Sequence, residues 1–130
     1  MIKMDMYRQI IMDNYKYPKN TGKLEKFNIE NKSSNISCGD EIEIFLDIQD
    51  NLIKDISYLA KGCAMSVASM SLFSDKIKGK SIEYVLNLSE EEYFELINIF
   101  PTISRVKCVL LGLKTLKEAI IQFKSQNKFN

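Results

Sequence analysis

Residues 41–48 constrain this chain more than any other stretch. Ile42, Ile44, Leu46 and Ile48 alternate with Glu41, Glu43, Phe45 and Asp47. A period of two belongs to an extended backbone, on which successive side chains point to opposite faces. The segment therefore predicts a half-buried strand with its aliphatic set turned inward. Gln49-Asp50-Asn51 supplies a tight turn, and Leu52 to Ala60 returns as a second, less cleanly patterned strand. An antiparallel hairpin is the economical arrangement.

Helical periodicity occupies most of the remainder. Met6, Ile10, Ile11 and Tyr15, with Tyr7, recur at helical spacing in an opening helix from Asp5 to Tyr15 that should end before Pro18. Turn chemistry follows, with Pro18 and Gly22 at its two ends. A short strand is expected around Phe27 to Glu30, and the polar run Asn31-Lys-Ser-Ser-Asn35 reads as a turn that delivers a loop, Ile36 to Asp40. After the hairpin, residues 64–77 are small and apolar, suiting a helix that lies close against a sheet. Lys78-Gly79-Lys80 ends that helix, and Ser81 starts a short helical piece toward Leu88. Ser89 followed three residues later by Glu92 is a capping box. It opens a helix carrying Phe94, Leu96, Ile97 and Phe100, with Pro101 as its expected stop. From about Ser104, Val109, Leu113, Leu116, Ile120 and Phe123 mark a last amphipathic helix.

Length and charge narrow the function classes. A chain of 130 residues suits one domain, 1–130, with a single core. The 18 basic and 17 acidic residues leave a formal charge of +1, so no basic field is available for nucleic acid. The first residues lack the apolar region of a signal peptide, and no apolar run approaches the roughly 20 residues needed to cross a bilayer. The expected address is the cytoplasm, without membrane association.

Three cysteines, Cys38, Cys63 and Cys108, are an odd number in a chain long enough to build its own core, which argues against a disulfide framework. Any one of them can be a small buried hydrophobe. Their positions suggest more. Cys38 falls on the loop before the hairpin, Cys63 at the first turn of the helix after it, and Cys108 near the start of the last helix. Helix N-termini favour a thiolate through their unpaired N–H groups and positive dipole end. Glycine beside Cys38 and Cys63 lets backbone approach a sulfur or an ion. Soft sulfur ligands select zinc or iron–sulfur chemistry. The chain has no histidine. Asp40 is the nearest oxygen candidate; it either shares an ion with Cys38 or caps its own loop backbone.

The order of these features resembles a known family. Cys38-Gly39-Asp40 precedes the alternating strand. Then come Lys61-Gly62-Cys63-Ala64-Met65-Ser66-Val67-Ala68-Ser69-Met70-Ser71, Lys78-Gly79-Lys80 and Arg105-Val106-Lys107-Cys108. The opening Asp13-Asn14-Tyr15, Pro18-Lys19-Asn20 and Gly22 is similar too. The pattern resembles the U-type iron–sulfur cluster assembly family that includes IscU, the N-terminal domain of NifU, and SufU. That resemblance implies an α+β fold, a small antiparallel β-sheet packed against several α-helices, with the cysteines and the aspartate gathered at one tip. It implies metal ligation by Cys38, Asp40, Cys63 and Cys108.

It also implies a partner, a pyridoxal-phosphate-dependent cysteine desulfurase that delivers sulfur as a persulfide. The IscU branch typically has histidine immediately before the last cysteine and a Leu-Pro-Pro segment upstream. Here Lys107 and Phe100-Pro-Thr-Ile-Ser104 stand at those places. Arg105-Val106-Lys107-Cys108 instead resembles SufU, whose members bind zinc and accept sulfur from a SufS-like desulfurase. A typical SufU carries an insertion between its second and third cysteines, and the interval from Cys63 to Cys108 is short, as in IscU.

The expected function is thus a zinc-bound sulfur acceptor that passes sulfur to a downstream iron–sulfur scaffold or apo-protein, and any enzymatic activity is that of a sulfurtransferase. Cys38 is the expected acceptor and Cys108 the second choice. One alternative is a scaffold that assembles a transient [2Fe-2S] cluster on the same ligands; another is a structural zinc domain for protein contacts. Three thiolates and a carboxylate around a dication leave excess negative charge, which Lys61, Arg105 and Lys107 either offset or merely border as a solvated rim.

Overall fold

The computed structural model describes residues 2–37 and 39–127. Its frame is a three-stranded antiparallel sheet, in the order β1-β2-β3, formed by β1 (Ile29–Asn35), β2 (Asp40–Gln49) and β3 (Leu52–Lys61). Around it lie α1 (Ile2–Lys16), α2 (Ala64–Ile77), α3 (Ile82–Leu86), α4 (Glu90–Ile97) and α5 (Val106–Asn127), the last preceded by a 3-10 turn, Ile103–Arg105.

The hairpin forms as the alternation predicts. Asp50 and Asn51 take φ of 55° and 62°, and left-handed geometry at both central positions matches the twist of the strands they join. Ile42, Ile44, Leu46 and Ile48 are buried, with α5 packed on β2 and α2 on β3. The other face of β2 is less open than the pattern predicts, since Phe45 and Asp47 are also buried. The chain between α1 and β1 crosses there. Phe27 meets Phe45 edge-on at 5.2 Å between ring centroids, and Lys23 sits over the Phe45 ring.

The first strand differs from expectation. It runs through the polar segment 31–35, where a turn is predicted, because β1 is an edge strand whose inward positions bond to a helix rather than fill a core. Asn31 Nδ2 donates to the Thr115 carbonyl at 3.0 Å, and Ser33 Oγ donates to Glu118 Oε1 at 3.1 Å. The stop of α4 also differs. It ends at Ile97, with Asn98 as a left-handed cap at φ 58°, before Pro101 is reached.

Two close contacts join α2, α4 and α5. Gly112 in α5 faces Met70 of α2, and a Cβ at that glycine would lie 2.9 Å from Met70 Sδ. Tyr93 of α4 is fully buried, stacks edge-on to Phe73, and donates from Oη to the Val109 carbonyl at 2.6 Å. Burial pushes its phenol far above the ordinary tyrosine range, so it remains a donor at any physiological pH. Met70 and Phe73 fill the core beneath the start of α2, and Met65 packs partly buried at its margin.

Candidate metal centre

Three elements meet at one end of the sheet. Asp40 is the first residue of β2, paired with Asn35 of β1. Next to it, Glu41 pairs with Lys61 at the end of β3, so the hairpin register carries Gly62 and Cys63 alongside Asp40. Cys63 is the N-cap residue of α2, with extended backbone, and its side chain makes no capping hydrogen bond. Cys108 lies in the first turn of α5. The ligand atoms of Asp40, Cys63 and Cys108 all lie within 4.8 Å of one another.

Gly62 makes the approach of Asp40 feasible. Its φ is 137°, and a Cβ there would fall 2.9 Å from the Asp40 Cα and collide outright with the carboxylate. The space that a side chain would occupy is taken by the carboxyl group. One oxygen, Oδ1, accepts the Cys63 backbone N–H at 2.9 Å. That is one of the N–H groups a helix start leaves unpaired, and it orients the carboxylate.

The other oxygen, Oδ2, has no hydrogen-bond partner among the described residues although Asp40 is only 1% exposed. A buried carboxylate oxygen without a donor is costly unless a cation faces it. Two sulfurs within reach, one half-buried and one at 1% exposure, complete a soft, partly desolvated donor set. Such a set suits zinc or an iron–sulfur cluster and does not suit magnesium or calcium, which require oxygen.

The predicted ligands Asp40, Cys63 and Cys108 are thus brought together; the fourth, Cys38, lies outside the described residues. Of the three cations near the ligands in sequence, Lys61 turns to Glu41, 3.7 Å away, with a largely exposed side chain. Arg105 and Lys107 are exposed and make no ion pair among the described residues. They form the solvated rim rather than contacts to the carboxylate. Asn35 is a residue the sequence pattern does not single out. Opposite Asp40, it holds a buried amide nitrogen, Nδ2, with no acceptor among the described residues. The sequence carries no signal for it, because β1 is polar at every position from Glu30 to Asn35 and hydrophobic periodicity does not register such a strand.

Comparison with known proteins agrees with the fold. The model of the NifU-like N-terminal domain matches residues 6–130. The chain belongs to that family, the U-type iron–sulfur cluster assembly proteins. It is similar to the iron–sulfur cluster assembly scaffold protein IscU of Thermotoga maritima, at 37% identity over 88% of this chain and 92% of the relative. It is also similar to the zinc-dependent sulfurtransferase SufU of Bacillus subtilis, at 32% identity over 94% of each.

Among solved structures, FiSufU from Fervidobacterium islandicum AW-1, described as a scaffold protein for the SUF system, superposes with a TM-score of 0.71 at 29% identity, covering 86% of this chain and 94% of that one. The N-terminal part of a NifU-like protein from Brucella abortus shares the fold, with a TM-score of 0.77 at 18% identity, over 96% of this chain and 99% of that one. The chain is therefore an iron–sulfur cluster assembly scaffold of the IscU/SufU type.

Proposed function

We propose that this member of the family is a sulfur acceptor of the SufU kind. In this reading it holds zinc on Cys38, Asp40, Cys63 and Cys108 and takes sulfur from the persulfide of a pyridoxal-phosphate-dependent cysteine desulfurase. The observation that carries the reading is the buried, unpartnered Oδ2 of Asp40 beside the sulfurs of Cys63 and Cys108. A carboxylate so placed is explained by a resident cation. When bound, zinc supplies charge that keeps the thiols deprotonated and shields them from oxidation.

The chain's own groups supply the rest. The Cys63 N–H holds the Asp40 carboxylate in line with the sulfurs. Cys108, at 1% exposure, is poorly placed to meet a partner's sulfur. We assign the acceptor role to Cys38, with Cys108 second. The Cys38 thiolate attacks the outer sulfur of the desulfurase persulfide; a new S–S bond forms, and the desulfurase cysteine leaves as a thiolate. Sulfur then passes to a downstream scaffold or apo-protein.

A second reading has the same ligands carry a transient [2Fe-2S] cluster as cargo. The 37% identity to a scaffold named IscU favours it. Anaerobic purification separates the two. We expect one zinc per chain and faster desulfurase turnover in its presence. Visible absorption from a bound cluster, with transfer of that cluster to an apo-protein, overturns the sulfur-acceptor reading.

A further inference from the structure

A second concavity adjoins the metal centre, and neither zinc ligation nor sulfur acceptance uses it. It is a groove of about 490 Å³ between the end of β1 and one face of α5. Leu110, Leu111 and Leu113 give it an apolar floor, and Lys107, Lys114 and Lys117 line it against a single acid, Glu90. Lys117 is already engaged, donating to the Leu88 carbonyl. Lys107 and Lys114 are exposed, and their side chains make no hydrogen bond or ion pair among the described residues. Seven residues apart on one helix, they stand about 10 Å from each other along its axis.

The groove leads to the ligands. Ser34 and Asn35 line both it and the smaller concavity whose wall includes Gly39 and Asp40. Asn35, whose buried Nδ2 has no partner among the described residues, therefore stands where the two adjoin. An occupant of the groove lies one concavity away from Asp40.

The charge pattern selects among occupants. An apolar floor between two lysines rooted about 10 Å apart along the helix favours a ligand that carries hydrophobic groups between its acids. A net charge of +1 and the acid at the rim disfavour a polyanion such as nucleic acid. We infer that the groove between β1 and α5 docks an acidic, apolar-bearing segment of the sulfur-donating desulfurase. Carboxylates on that segment meet Lys107 and Lys114, and its apolar side chains rest on the leucines. The inference rests on the function proposed above and adds to it the surface that aligns the donor with the site.

The test is the dissociation constant of the zinc-loaded chain for a purified cysteine desulfurase of the same organism, measured at low and at high salt, with desulfurase turnover followed in parallel. Lys114→Glu should weaken association roughly fivefold or more at low salt and lose most of that deficit at high salt. Lys114→Arg should restore wild-type binding. Lys54→Glu makes the same change in net charge at the opposite end of the sheet, seven residues or about 24 Å of strand from the Lys61 end, and should leave binding unchanged. Zinc content should be equal in all four proteins. Wild-type binding by Lys114→Glu, or an equal loss in Lys54→Glu, overturns the groove and leaves the sulfur-acceptor reading standing. A wild-type chain that neither binds nor stimulates the desulfurase overturns both.

Discussion

Gly62 shows how a single missing Cβ governs the metal centre. Its positive φ and the carboxylate seated where a side chain would be are two separate reasons for glycine. Gly62→Ala must either move the β3–α2 junction or expel the Asp40 carboxyl group, so both stability and metal affinity should fall. We expect a stability loss of about 1–3 kcal/mol by chemical denaturation, together with substoichiometric zinc by elemental analysis. A fully metallated, equally stable variant would show that the close approach is dispensable. At this scale the sequence was informative about identity and poor about geometry. Cys63, Cys108 and Asp40 are predicted as ligands and do converge. That Asp40 lends one oxygen to the Cys63 N–H, leaving the other unpaired, depends on a contact between residues 23 apart and has no local signature.

Elements with strong local signals formed where the sequence places them, and elements defined by their neighbours did not. The capping box of α4 is complete, with Ser89 Oγ accepting the Glu92 N–H at 3.1 Å and Glu92 accepting the Ser89 N–H at 2.9 Å. Ser89→Ala should cost about 1 kcal/mol in a denaturant titration. The hydrogen bonds from Ser89 hold the Glu92 carboxyl below its usual value of 4.5. A lowered folded pKa means that the contribution is present above the unfolded value and is lost as pH falls through the folded one. The stability difference between wild type and Glu92→Gln should therefore be constant near neutrality and close as pH drops below about 4. A difference that persists in strong acid would show that the cap does not depend on the ionised carboxylate. By contrast, β1 is a strand because β2 offers it an edge and α5 offers partners for Asn31 and Ser33. Its own composition indicates a turn.

The whole molecule bears on whether the metal is needed for folding. Buried apolar side chains from α1 to α5 and all three strands form one continuous cluster, and the three converging ligands lie at one end of the sheet. A domain held together by zinc would lack such a core. Chelation should leave the far-ultraviolet circular dichroism unchanged and lower the melting temperature, because a ligand bound only to the folded state stabilises it by about 1.4 kcal/mol for each tenfold excess over its dissociation constant. Unfolding on chelation would instead favour the structural zinc domain.

What the sequence determined by itself was whatever depends on near neighbours. The period-two run of β2, the turn at Asp50-Asn51, the capping box of α4 and the small-residue face of α2 each carry their physics within a few residues. The tertiary structure decided what depends on distant groups meeting in space. It buried Phe45 beneath Phe27, made a strand of residues 31–35, set Asp40 into the space left by Gly62, and opened a lysine-lined groove between β1 and α5. Those outcomes turn on desolvation and close packing between segments far apart in the chain, which a linear pattern does not encode.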